Sequence, residues 1–180
     1  MIKLLPEPKE VKESGGITAP FKSICLEGID EALLEIARLR FWNYPDLAVG
    51  LMPCAPAAPL RVAVHASLSH PGFQENALFQ EQGYQLEIRQ DQVILRYANK
   101  AGYINALTSL KQLIREERDG FVLPLCEIAD YPSIPVRAVA PTFSWYAGYG
   151  RIGFDMQLWG LREWTEFLNI CLDNKINQFN

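Results

Sequence analysis

Two clusters of residue types in this 180-residue chain could carry chemistry, and both lie in its last fifty residues. Gly148-Tyr149-Gly150-Arg151-Ile152-Gly153 matches the GxGxxG spacing with which a strand-to-helix turn cradles a dinucleotide pyrophosphate, and Asp173 follows at about the distance of a ribose-binding acid. The fingerprint needs its helix to begin within the glycines, so that the first amides meet the phosphates. Here Phe154 to Gly160 intervene before any helical period starts, and Asp173 precedes the next strand instead of ending it. The spacing therefore argues against a dinucleotide site.

The same segment supports another chemistry. Trp145, Tyr146, Tyr149, Phe154 and Trp159 alternate with Arg151 and Asp155. Aromatic faces beside a few charged groups suit sugar rings, whose C–H faces stack while their hydroxyls need hydrogen bonds. The alternative is that these aromatics pack the loop onto its own domain. Elsewhere chemistry is sparse. His65 and His70 are the only histidines, no HExxH or clustered Cys/His set offers metal ligands, and no GxSxG supplies a nucleophilic serine. Neither cofactor nor metal is expected. The four cysteines, Cys25, Cys54, Cys126 and Cys171, are widely spaced and read as free buried thiols.

The elements that must position these residues follow from periodicity and breakers. Residues 1–20 read as irregular, Phe21–Leu26 as a strand, and Glu31–Phe41 as a helix capped by Asp30. A Pro-rich loop over residues 44–59 leads into a strand from Leu60 to Ala66, and residues 67–80 show no period. Tyr84–Ile88 and Val93–Tyr97 form a hairpin pattern. Asn99 caps a helix that the pattern carries as far as Gly120, and Phe121–Ile128 is extended. After Pro132 and Pro135 come a strand over Val136–Pro141, the aromatic loop, a helix from Leu161 to Asp173, and a strand over Ile176–Asn180. The predicted fold class is α+β: an N-terminal mixed sheet with helices packed on it over residues 1–131. Residues 132–180 are then the first β-α-β elements of a (β/α)8 barrel, with the aromatic loop on the face where such barrels place their sites.

Composition bounds the partners. The chain is 49% hydrophobic and 21% charged, with a net charge of −4, a balance that favours neither nucleic acid nor an anionic membrane. No stretch approaches the length of an apolar transmembrane helix, and the N-terminus has no signal-peptide core. These features predict a cytoplasmic protein, or a secreted one if a signal has been trimmed.

Gly83-Tyr84-Gln-Leu-Glu-Ile88, Ala98-Asn-Lys-Ala-Gly102-Tyr103, Leu107-Thr-Ser-Leu-Lys-Gln-Leu113, Leu123-Pro124 and Ile128-Ala-Asp130-Tyr131-Pro132 occur in a telling order, after an opening Leu4-Leu5-Pro6-Glu7-Pro8. In order and spacing they resemble the N-terminal domain that precedes the catalytic barrel of family 20 glycoside hydrolases, the β-N-acetylhexosaminidases. The resemblance implies a zincin-like accessory domain without zinc, packed beside the barrel. It also implies a parent enzyme that hydrolyses glycosidic bonds of amino sugars with assistance from the substrate's acetamido group. The sugar-binding arginine of that family falls on Arg137, which is followed by Ala138 where the family has Gly. Its Lys-x-Asn motif falls on Lys175 and Asn177, with Asn180 in place of a His. The substrate-binding set expected from loop and resemblance together is Arg137, Trp145, Tyr146, Tyr149, Arg151 and Asp155. The family's catalytic Asp-Glu pair lies on a later strand, so the chain is expected to be an inactive N-terminal part of a longer protein. A stand-alone carbohydrate-binding or interaction module is the competing expectation. An incomplete barrel would also expose apolar surface, which predicts self-association or a poorly ordered C-terminal segment.

Overall fold

Three side chains start the helices of the first unit. Asp30 accepts from the Leu33 amide at 2.9 Å, Asn76 from Leu78 and Phe79, and Asn99 from Ala101 and Gly102. Each satisfies amides that a helix N-terminus leaves unpaired. The computed structural model describes residues 2–53, 59–141 and 159–180, and it divides into two units, Met1–Ser133 and Ile134–Asn180.

In chain order the first unit runs β1 (Glu10–Ile17), β2 (Ser23–Glu27), α1 (Glu31–Arg40), β3 (Ala48–Leu51), β4 (Pro59–His65) and α2 (Ala77–Gln82). It continues with β5 (Tyr84–Ile88), β6 (Gln92–Tyr97), α3 (Lys100–Leu113), β7 (Arg115–Glu117), β8 (Gly120–Val122) and β9 (Pro124–Asp130). Seven strands form one mixed sheet in the order β1-β9-β5-β6-β4-β2-β3. The β3, β2, β4 and β6 pairings are parallel, while β6–β5, β5–β9 and β9–β1 are antiparallel. This is the α+β architecture expected from the sequence.

Side-chain alternation divides the sheet into two chemically distinct faces. One contributes Ile24, Leu26, Val62, Val64, Leu86, Ile88, Val93 and Leu95 to a core completed by Leu34 and Ala37 of α1 and Leu107 and Leu110 of α3. One buried polar cluster at this core is satisfied. The Tyr84 hydroxyl lies 2.5 Å from Ser109 Oγ and donates to Asp130 Oδ2 at 3.0 Å, and Asp130 Oδ1 accepts from the Lys9 amide at 3.2 Å. The network thereby ties the N-terminal segment to α3 and β9. The opposite face carries charge, with Lys12, Gln85, Glu87, Arg96 and Glu127 in adjacent strands.

Several elements depart from the sequence expectation. β1 forms within the segment read as irregular, because an edge strand is held by one neighbour and can be polar on both faces. Its register on β9 shifts between Glu13 and Ile17, where Gly15 and Gly16 take φ of 72° and 86°. β3 emerges from the Pro-rich loop as the other edge. The short α2 had no period to reveal it. The third helix stops at Leu113, not Gly120: Ile114 is extended, and β7 and β8 form a hairpin in which Glu117 pairs with Gly120 at φ 143°. The cysteines also need correction, since Cys25 is disulfide-bonded whereas Cys126 and Cys171 are free and buried.

In the second unit β10 (Ala138–Val139) pairs in parallel with β11 (Gln178–Phe179), and α4 (Leu161–Asp173) connects them. The α4 boundaries coincide with those read from its period. It begins with the Gly160 amide donating to Glu163 Oε2 at 2.9 Å. At its end the Lys175 amide reaches Leu172 O and the Ile176 amide reaches Cys171 O, each at 2.9 Å, with Lys175 at φ 56°. That is a Schellman closure built on a lysine where glycine is usual.

Candidate functional site

Of the six residues expected to bind substrate, Arg137 is the one among the described residues; Trp145, Tyr146, Tyr149, Arg151 and Asp155 lie outside them, as does the whole GxGxxG segment. Arg137 stands immediately before β10 and is half-buried. Its guanidinium reaches backbone carbonyls: Nε donates to Lys175 O at 2.6 Å, and Nη1 donates to Ile134 O at 2.8 Å and Pro135 O at 3.4 Å. A planar fork of fixed N–H groups suits such convergent carbonyls, and a lysine could not reproduce it.

Asn177 completes the arrangement from the other strand. Its Oδ1 accepts from the Arg137 amide at 2.8 Å, its Nδ2 donates to Pro135 O at 2.8 Å, and its own amide donates to Arg137 O at 3.0 Å. The Lys175 and Asn177 motif, forty residues downstream, thus frames the approach to β10. Sequence reading marked both residues by resemblance alone. Their joint contact with Arg137 emerges only from the parallel pairing that brings β11 alongside. Arg137 is a rigidly oriented cation at the entrance to the β-α-β unit, able to set strand position and local charge.

Trp159, at the end of the aromatic loop, packs on α4. Its ring centroid is 5.1 Å from Trp164 in an edge-on contact and 5.6 Å from Phe167, and Trp164 lies 5.9 Å from Phe179. For this residue the packing alternative describes what is seen. Cys171 on α4 is buried, and burial pushes its thiol up. That environment suppresses the thiolate and with it nucleophilic reactivity. Among the described residues no group of three or more His, Cys, Asp or Glu could hold a metal ion, and no helix is long and apolar enough to cross a membrane.

Residues 50–131 match the family model described as glycosyl hydrolase family 20, domain 2. No curated protein matches the chain. Among solved structures it is similar to an inactive mutant of the GH20 exo-β-N-acetylglucosaminidase from Vibrio harveyi, with a TM-score of 0.69 and 13% identity over 98% of this chain and 24% of that one. It is also similar to the β-N-acetylhexosaminidase from Bacteroides fragilis NCTC 9343, with a TM-score of 0.65 and 18% identity over 98% and 32% of the two chains. The GH20 β-N-acetylhexosaminidase from Streptomyces coelicolor A3(2) gives 0.65 and 15% over 98% and 33%. The chain spans about a quarter to a third of the length of these structures. Identities this low establish the fold alone, and it is residues 50–131 that match domain 2 of glycosyl hydrolase family 20.

Proposed function

We propose that the chain is the N-terminal, non-catalytic portion of a glycoside hydrolase that cleaves terminal amino sugars, with residues 1–131 as accessory domain and residues 132–180 as the opening of a (β/α)8 barrel. The observation that carries this reading is the domain 2 match over residues 50–131, joined to similarity over 98% of the chain to enzymes described as β-N-acetylglucosaminidase and β-N-acetylhexosaminidase. The parallel β10–α4–β11 unit supports the barrel assignment, because successive parallel strands joined by a helix are what such a barrel repeats. In this reading Arg137 orients the first barrel strand and contributes cationic character to the sugar site. Trp145, Tyr146 and Tyr149 supply stacking surfaces, and Arg151 and Asp155 supply hydrogen bonds. Catalysis by the parent uses a carboxylic acid to protonate the leaving oxygen while the substrate's acetamido group attacks. The disulfide at Cys25 supports an oxidising compartment over the cytoplasm.

The test compares this chain with the protein of its full reading frame on a fluorogenic N-acetyl-β-glucosaminide. The expected result is no turnover by residues 1–180 and turnover by the longer protein. A reading frame that stops after Asn180, with N-acetylglucosamine quenching the tryptophan fluorescence of this chain, would instead establish the stand-alone carbohydrate-binding module.

The second unit also bears on partners. Val139, Leu168, Cys171, Ile176 and Phe179 line an apolar depression, and Leu161 is 86% exposed. Light scattering of residues 1–180 is expected to show concentration-dependent association, abolished by Phe179→Asp together with Leu168→Asp. A strictly monomeric chain at all concentrations contradicts this.

A further inference from the structure

The charged face of the seven-stranded sheet contains a hollow that the core does not require. Cross-strand register sets Glu10, Ala129, Gln85 and Arg96 in one row and Lys12, Glu127 and Glu87 in the next. Ala129 is the short member of its row, and the longer side chains around it leave a cavity of about 170 Å³, closed at one end by His70. That volume accommodates a small molecule and excludes a folded segment.

The polar groups around this hollow are unevenly satisfied. Lys12 Nζ lies 3.8 Å from Glu127, and Arg96 Nη1 lies 3.7 Å from Glu87, which Arg89 Nε also reaches at 2.7 Å. The third carboxylate, Glu10, faces His70 Nε2 at 3.4 Å, a partner that is cationic only when protonated. Across Ala129, the side-chain oxygen of Gln85 is buried with no hydrogen-bond partner among the described residues. A buried acceptor without a donor is costly, and a carboxylate beside it adds a demand for positive charge. Strands about 4.8 Å apart put Glu10 and Gln85 some 10 Å apart at the backbone, a span two side chains can close on one small group.

We propose that this hollow binds the primary ammonium group of a small molecule. One N–H donates to the Gln85 amide oxygen and a second to the Glu10 carboxylate, above Ala129. The two rows already pair their cations with Glu127 and Glu87, so an anion would meet occupied cations and three carboxylates. A neutral amide would lack both the charge and two of the donors. The site is built from residues of the first unit alone.

Titration of ¹⁵N-labelled residues 1–180 with ethanolamine, followed by amide chemical shifts, tests it. Saturable shifts centred on Glu10, Gln85 and Ala129 are expected, with Kd on the order of millimolar for so small a ligand. N-acetylethanolamine and acetate should leave these amides unmoved. Gln85→Leu should weaken ethanolamine about tenfold, the loss expected when a charged donor forfeits a buried acceptor. Glu10→Gln serves as a second variant should the first perturb the strand. Absence of saturable shifts, equal binding of N-acetylethanolamine, or unchanged affinity in folded variants would each overturn the assignment.

Discussion

Replacing Gly102 by alanine should destabilise the first unit by about 2 kcal/mol, although alanine is the better helix former. A Cβ at Gly102 would stand well inside contact distance of the Gly83 carbonyl oxygen, 3.3 Å from its carbon and 3.5 Å from Tyr97 Cβ. The obstacle is backbone, and it cannot step aside. Gly83 ends α2 and leads into β5, and a Cβ of its own would collide with the Phe79 carbonyl. The first turn of α3 therefore lies directly on the entry to a central strand. Helix propensity favours alanine by roughly 1 kcal/mol, and overpacking against fixed atoms costs typically 1–3 kcal/mol and occasionally more, so the steric effect decides the sign. In thermal unfolding this is a loss of roughly 8 °C. Gly15→Ala is the informative contrast, because nothing lies within 4 Å of that position and its only demand is φ of 72°. Its cost should be about 1 kcal/mol. A Gly102→Ala variant that melts with the parent chain would refute the close approach.

Alkaline pH should unfold the first unit steeply. Burial holds the Tyr84 hydroxyl well above the ordinary tyrosine range, reinforced by the charge of Asp130. Burial likewise raises Tyr103, with smaller contributions from Tyr97 and Asp30. In the unfolded chain both hydroxyls ionise near pH 10, whereas the folded protein keeps its protons. Their contribution is thus fully present below about pH 10 and is lost as pH rises toward the folded values. Each group removes about 1.4 kcal/mol per pH unit, so the pair removes about 3 kcal/mol per unit. The Cys126 thiol, pushed up to about 11 by burial, begins the same loss one unit earlier. Urea unfolding at pH 8, 10 and 11 reads the slope. Tyr84→Phe should lower stability at pH 8, since Ser109 and Asp130 lose a partner, and should also flatten the slope above about pH 10 by roughly a third. Stability that stays level through about pH 11 would contradict the burial of these hydroxyls.

Local signals carried α1, the start of α3, α4 and the β5–β6 hairpin. Asp30 and Asn99 act as the caps their types predict, and α4 runs from Leu161 to Asp173 as its period requires. Tyr84–Ile88 pairs with β6 from Tyr84–Tyr97 to Ile88–Val93. These features depend on residues a few positions apart, so the sequence contains them directly. The order of motifs from Gly83 to Pro132 was likewise sufficient to point to family 20, because those short motifs record which residues the fold cannot exchange. Gly102 is the instance whose reason is visible: the motif keeps a glycine where another backbone passes.

What the sequence could not contain is what distant partners create. Glu10–Ile17 has no strand pattern of its own and becomes β1 because β9, more than a hundred residues later, offers an edge. The hollow over Ala129 exists only because three strands set longer side chains around it. Arg137 was legible, by resemblance, as a cation within the strand expected over Val136–Pro141. That its guanidinium spans Ile134, Pro135 and Lys175, with Asn177 fixing the backbone beside it, was decided by the pairing of β10 with β11. Residue type and local period thus determined α1, α4 and the β5–β6 hairpin, and the order of motifs gave the family resemblance. Register between strands remote in sequence, which side-chain pattern alone does not encode, decided where their functional groups meet.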